Sequence, residues 1–302
     1  MRALVTGATG FVGPHLIEHL HAEGDDVTAT DRSTGLDLAD AAAVTALLGS
    51  TRPEVIYHLA GDSDVGASWS HPLSTFRANA EATLILLDAA RHAGVERVVV
   101  IGSADVYGKV ADHELPLTEA SELRPTSPYA ASKVAADFVA LQAFLGYGLG
   151  AVRVRAFNHI GPGQSDRFVA PAIACRIATN ELDGSDVVPV GNLDARRDLT
   201  DVRDVVRAYR LLAQHGDGGA VYNVCSGAAV HIGDLAERLV SMAATPMRLE
   251  PDPALLRPVD IPVLVGDNRR LVEATGWCPT YSIDDTLTDL MADCRSRVGT
   301  GH

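Results

Sequence analysis

The stretch RALVTGATGFVG, residues 2–13, sets a short apolar run directly before Gly7, Gly10 and Gly13. Beyond it, Val12, Leu16, Ile17 and Leu20 fall on one helical face. Glycines let a backbone turn tightly and approach phosphate oxygens, and the amides that open a helix attract anions. Strand, glycines and helix in that order predict that Gly7, Gly10, Phe11, Val12 and Gly13 cradle the pyrophosphate of a dinucleotide. Pro14 suits the first helical turn. A glycine triplet alone is equally well a turn that needs positive φ, so its context has to carry the reading. Asp31 supplies that context: it closes a second predicted strand about 20 residues beyond the motif, where an acid accepts hydrogen bonds from an adenosine ribose. A carboxylate there repels a 2'-phosphate and favours NAD, while the adjacent Arg32 offers that phosphate a cation and leaves NADP open. Asp37 and Leu38 are candidates for the adenine edge.

Outward from the motif, short β-branched runs alternate with amphipathic stretches. VTATD near Val27, EVIYHLA near Val55, RVVVIGS near Val98 and GAVRVRAFN near Val152 read as strands. DAAAVTALL, FRANAEATLILLDAARHAG and PYAASKVAADFVALQAFLGYG read as the helices between them. This alternation predicts an α/β fold, a Rossmann-like doubly wound parallel sheet, with a smaller C-terminal α/β lobe for the substrate. The expected division is 1–157 plus 197–227 for the dinucleotide-binding domain and 158–196 plus 228–302 for the substrate lobe.

Composition narrows the class. At 302 residues the chain exceeds the usual single-domain size. No apolar run approaches the roughly 20 residues of a spanning helix, and MRALVTG lacks the regions of a signal peptide, so a soluble cytoplasmic protein with no membrane partner is expected. A net charge of −14 argues against a nucleic-acid partner, though a few local arginines can still bind an anionic small molecule. The eleven histidines show no metal-ligand spacing. Cys175, Cys225, Cys278 and Cys294 contain no CxxC pair and are expected to be buried or incidental free thiols rather than zinc ligands or a disulfide framework.

The chemistry concentrates in two further strings. Ser103 follows the strand RVVVI, at the edge where open α/β sheets place ligands. In SPYAASK, Tyr129 precedes Lys133 by one helical turn. A phenol is a poor acid–base group at neutral pH, and an ammonium beside it makes it a better one. Either string alone is ordinary, a turn serine or a solvated helix pair. With the glycine loop and Asp31, each in its required context, they predict a nicotinamide redox site in which Ser103 orients a carbonyl oxygen and Tyr129 protonates it.

GATGFVG, HLAG at His58, SPYAASK and RAFNHIGPGQ together resemble the extended short-chain dehydrogenase/reductases that act on nucleotide sugars, and the resemblance runs nearly the whole chain. Within that family the strings SWSHPLSTF, FNHIGPGQSDRFV, VGNLDARRDLTDVRDVVRAY, YNVCSG and LRPVDIPVLVGD are most similar to GDP-4-keto-6-deoxy-mannose reductases, then to GDP-mannose 4,6-dehydratases. The resemblance implies a catalytic Ser103, Tyr129 and Lys133, with Tyr129 and Lys133 also at the coenzyme. It adds Leu59, Ala60 and Gly61 to the coenzyme site, and Ser68, Asp105, Asn158, Val169, Arg197 and Arg257 to the site of a GDP-linked sugar. Trp69, beside Ser68, is a sugar-pocket candidate that equally suits a core. It further implies a homodimer through helices near Asn79–Ala93 and Tyr129–Tyr147. Dehydratases of the family carry glutamate two residues after the catalytic hydroxyl, and here Asp105 stands there, which fits a reductase better. The expected activity is NAD(P)H-dependent reduction of a nucleotide-linked 4-keto-6-deoxy hexose. A redox-neutral dehydratase or 4-epimerase is the first alternative, and a catalytically silent nucleotide-binding protein the second.

Overall fold

A computed structural model describes residues 1–256 and 261–299. Arg257 lies outside the described residues. The strands are β1 (Arg2–Thr6), β2 (Asp26–Thr30), β3 (Val55–His58), β4 (Arg97–Ser103), β5 (Gly150–Ala156), β6 (Asn158–Ile160), β7 (Val187–Val190), β8 (Arg196–Asp201), β9 (Val221–Val224), β10 (Ala229–His231), β11 (Arg248–Pro251) and β12 (Val263–Leu264). The α-helices are α1 (Val12–Ala22), α2 (Ala41–Thr51), α3 (Val65–Ser68), α4 (Pro72–Phe76), α5 (Ala82–Ala93), α6 (Pro128–Tyr147), α7 (Val169–Asp183), α8 (Val202–His215), α9 (Ile232–Ser241), α10 (Arg269–Thr275) and α11 (Ile283–Gly299).

Six strands make one parallel sheet in the order β2-β1-β3-β4-β5-β9. Apart from the edge strand β2, its strands are largely buried on both faces, so their apolar side chains fall at successive positions rather than at alternate ones. Leu4, Ile56, Val98 and Val100 point one way, into a core with Val44 and Leu48 of α2, Leu86 and Leu87 of α5, and Ala140 and Ala143 of α6. Val5, Tyr57 and Val99 point the other way, against Leu16 and Leu20 of α1, Tyr209 and Leu212 of α8, and Trp277. The order reverses between β1 and β3, and ligands of such sheets sit beyond the strand ends at that reversal.

The second lobe holds β10-β8-β12, with β6 alongside β8, and a separate pair β11-β7. Its core is built from Ile173 and Ile177 of α7, Leu235 and Leu239 of α9, Leu287 and Leu290 of α11, and Val188 and Val190. In the segment 197–227, expected to return to the first sheet, α8 and β9 do so, whereas β8, with Arg197, pairs inside the second lobe. Buried Asp198 on β8 joins the two lobes: its carboxylate accepts from the Ser226 and Gly227 amides after β9, and from Gly266 N after β12. No helix among the described residues is long and apolar enough to cross a membrane.

Two expectations are corrected. Cys175 and Cys294 form a disulfide although 119 residues separate them, because α7 packs on α11 and brings their Cα atoms to 4.9 Å. The remaining thiols, Cys225 and Cys278, are free, one buried and one exposed. The single helix read over FRANAEATLILLDAARHAG is interrupted: a wide π-helical turn, Arg77–Glu81, separates α4 from α5. Such turns add one residue to the helical repeat and re-aim a side chain.

Helix α6 is fastened to the sheet by charge. Asp137 receives Arg153 and Arg155 of β5 on its two oxygens, and all three residues are buried. Arg155 also donates to Tyr107 Oη at 3.1 Å, and Tyr107 donates to Asn223 Oδ1 at 2.6 Å. Removing one member of a buried ion pair leaves uncompensated charge. Asp137→Ala should therefore destabilise the protein by about 3–5 kcal/mol in urea unfolding, and a loss below about 1 kcal/mol would show that the cluster does not anchor α6.

Candidate active site

The reversal between β1 and β3 opens into a cleft of about 1000 Å³. Gly7, at φ +70°, approaches the β3 end so closely that a Cβ there would lie 2.7 Å from Ala60 N. A Cβ on Gly13 would lie 2.2 Å from Ala8 O. The glycines thus bring α1 onto the strand ends; that helix has no side-chain cap, and of its first turn the Gly13 amide is taken by Gly10 O while Pro14 has none to give. Gly7, Gly10, Phe11, Val12, Gly13, Asp31, Arg32, Asp37, Leu38, Leu59, Ala60 and Gly61 all line this cleft. Asp31 Oδ1 accepts from Ser33 Oγ (2.6 Å) and Thr34 N (3.0 Å), and Oδ2 accepts from Thr9 N (2.9 Å). The Ser33 hydroxyl, then the Thr9 amide, hold this exposed carboxyl well below the usual carboxylate range, so it stays anionic.

Ser103, Tyr129 and Lys133, the residues expected to react, meet at the same edge. Ser103 ends β4, and its Oγ accepts from Asp105 N at 3.2 Å. Ser127 caps α6 through the Ala130 amide and Pro128 opens the helix, which sets Tyr129 and Lys133 one turn apart on the face turned to β4. Lys133 Nζ donates to Ile101 O at 3.1 Å and stands 6.0 Å from the Tyr129 ring centroid. Burial, reinforced by Asp105, pushes the Tyr129 phenol up from its ordinary value, while a hydrogen bond with Ser103 opposes this. The phenol is therefore protonated at neutral pH. Burial pulls Lys133 down to about 8, against the opposing charge of Asp62.

Asp62 is itself held in place by the π-helical turn. Asn79 Oδ1 accepts from Asp62 N at 2.8 Å, and Asn79 Nδ2 donates to Asp62 O and to Ser132 Oγ beside Lys133. The loop after β3 is thereby tied to α6.

Of the residues expected to meet a substrate, Asn158 and Asp105 line the cleft. Val169 opens α7 one residue beyond Phe168, which lines it. Ser68 is buried, its hydroxyl donating to Val65 O, and Trp69 is 57% exposed; neither belongs to the lining. Arg197 donates to Arg196 O at 2.9 Å and likewise stands outside it.

His159 and Gln164 are among the lining residues that escaped the sequence reading. His159 stacks on Phe11 with ring centroids 6.1 Å apart. Its Nδ1 hydrogen points at Phe157 O, leaving Nε2 as the acceptor, and burial pulls it down to about 4. Gln164 donates Nε2 to His159 O, while its buried Oε1 has no partner. The only signal for either was their place in NHIGPGQ beside Asn158. The glycine cradle, the uncapped helix and this unpaired acceptor together fit a dinucleotide.

Residues 3–225 match the model of the NAD dependent epimerase/dehydratase family. The chain is 38% identical over 299 residues to the GDP-6-deoxy-D-mannose reductase of Pseudomonas aeruginosa, covering 98% of each. It is 28% identical to a GDP-mannose 4,6-dehydratase of Sinorhizobium fredii, over 92% of this chain and 84% of the relative. Among solved structures, RMD from Pseudomonas aeruginosa complexed with NADPH superposes with a TM-score of 0.91 at 36% identity, covering 98% of this chain and all of that one. The UDP-glucose 4-epimerase of Thermus thermophilus in complex with NAD reaches 0.88 at 28% identity, covering 98% and 99%. With residues 3–225 matched by that model and a 38% identical relative covered over nearly its whole length, the chain belongs to the NAD dependent epimerase/dehydratase family.

Proposed function

We propose that this protein reduces a GDP-linked 4-keto-6-deoxy hexose to the 6-deoxy sugar. The observation that carries this reading is the protonated phenol of Tyr129 beside Ser103 at the end of β4, facing the same cleft as the glycine loop. The 38% identity to a GDP-6-deoxy-D-mannose reductase supports the choice of substrate. A bound nicotinamide coenzyme supplies the hydride. Tyr129 gives its proton to the keto oxygen, so the carbonyl gains one hydrogen on carbon and one on oxygen. Ser103 steadies that oxygen, and Lys133 lends positive charge to the phenolate left behind. Asp105 and Asn158 border the sugar, and the Lys133 ammonium serves the coenzyme ribose.

A positioned general acid is worth about 10² to 10⁴ in rate, so Tyr129→Phe should lower kcat at least that far with the melting temperature unchanged; near-normal turnover removes Tyr129 from the role. The carboxylate of Asp105 near Tyr129 keeps one rival open, a redox-neutral dehydratase. Conversion of GDP-mannose by the purified protein without added coenzyme would favour that rival.

The Lys133 charge is present below a pKa of about 8 and lost above it. The profile of kcat/KM should accordingly fall as pH rises through about 8, and a plateau extending to the ordinary lysine range near about 10 would contradict this.

The permanently anionic Asp31 at the ribose position supports a preference for NADH over NADPH. Asp31→Ser should raise the kcat/KM ratio of NADPH to NADH by about tenfold or more, and an unchanged ratio would assign the choice to Arg32. Leu84 of α5 and Phe138, Leu145 and Tyr147 of α6 are exposed, as an apolar face between two copies would be. Light scattering should give twice the chain mass, and a monomer at micromolar concentration overturns the dimer.

A further inference from the structure

The disulfide of the second lobe is wired to the wall of the cleft. Cys294 is fully buried on α11, while Cys175 on α7 is only partly so and gives a reagent its way in. Arg297 Nη2 lies 3.2 Å from Cys294 Sγ and 3.4 Å from Cys175 Sγ. A guanidinium in that position favours thiolate over thiol, which is the form that exchanges. The same Arg297 donates Nη1 to Gln164 O at 3.3 Å. One turn earlier on α11, Asp293 pairs with Arg297 at 3.0 Å and accepts from Gly163 N at 3.0 Å. Gln164 lines the cleft, and Phe168, four residues on, lines it too before α7 begins. The sulfurs and the loop 161–168 thus share one short set of contacts.

We propose that Cys175 and Cys294 are a thiol–disulfide exchange site for small-molecule disulfides, and that its redox state sets how firmly the loop 161–168 is held against the cleft. In the oxidising direction the Cys175 thiolate attacks one sulfur of the small disulfide, forming a mixed disulfide and expelling one thiolate. The Cys294 thiolate then attacks the Cys175 sulfur and expels the second. The protein dithiol loses two electrons, the reagent disulfide gains them, and the two thiol protons end on the released thiols. Reduction separates the sulfurs and frees Arg297 to follow Cys294. The two helices stay packed, because Arg295 of α11 holds Glu181 of α7 through both carboxylate oxygens at 2.8 and 2.7 Å. The consequence is local to the loop.

The test reads the protein without its substrate. The full chain is equilibrated in oxidised glutathione or in dithiothreitol, denatured thiols are counted by alkylation, and amide hydrogen exchange is followed by mass spectrometry. The expected result is two alkylatable thiols after glutathione disulfide, Cys225 and Cys278, and four after reduction. Exchange of peptides spanning 161–168 should quicken roughly tenfold on reduction, while peptides from β1 and β4 keep their rates. The variant Cys175→Ser with Cys294→Ser should show the fast rate in both buffers. Four alkylatable thiols after oxidised glutathione overturn the exchange site. A disulfide that forms and breaks with no change at 161–168 overturns the coupling. Because both readouts come from the unmutated protein, neither depends on the variant folding.

Discussion

The structure depends on how one helix is seated. Tyr129, Lys133 and Asp137 stand at successive turns of α6, and the third is gripped by Arg153 and Arg155 of β5. The first two reach the strand ends because the third holds the helix down against the sheet. Burying two guanidiniums and one carboxylate is costly, so the cluster makes sense only as a fixed register between helix and strand. Its outer contacts carry that register onward: Arg155 reaches Tyr107, four residues after Ser103, and Tyr107 reaches Asn223 on β9. Serine, phenol and ammonium are therefore placed by a single buried polar network as well as by the sheet.

Opposite electrostatic pressures act on the two proton-bearing groups. Burial makes the phenolate unfavourable and the ammonium unfavourable, so Tyr129 holds its proton firmly and Lys133 holds its own less firmly. The sequence spacing suggested that the ammonium would make the phenol more acidic. In the folded chain burial raises the phenol instead, Asp105 and Asp62 add to that, and the opposing influence is the hydrogen bond with Ser103. A protonated phenol suits reduction, where the carbonyl oxygen must receive a proton. A redox-neutral cycle instead begins by taking one away.

That the residues proposed for the coenzyme line one cleft was legible because their placement is local. Residues 7–13 and Asp31 lie on consecutive elements, and parallel-sheet geometry brings consecutive strand ends to one edge. Ser103, Tyr129 and Lys133 were legible for the same reason, each closing or opening an element whose period is plain. The second lobe was less so. Its strands run from two to six residues, too short to show a period, and nothing in RRDLTD tells that β8 pairs with β6, β10 and β12 rather than with the central sheet. The Cys175–Cys294 bond is invisible to spacing because it depends on the packing of α7 on α11. His159 lies on the three-residue β6, too short to show a period, and Gln164 sits in the glycine- and proline-rich loop after it, where side-chain direction has no periodicity to follow. The π-helical turn at Arg77–Glu81 has no sequence signature, yet it turns Asn79 inward to tie Asp62 to Ser132.

The central claim is a net transfer of hydrogen from coenzyme to sugar with the phenol as proton source. Its most direct measurement is the stoichiometry of turnover: coenzyme oxidation followed by absorbance, and sugar product followed by mass, in one reaction of purified protein with a GDP-linked 4-keto-6-deoxy hexose. The account predicts one coenzyme oxidised for each sugar, and a product heavier by two hydrogens. Sugar converted with no coenzyme consumed, or a product of unchanged mass, would contradict it.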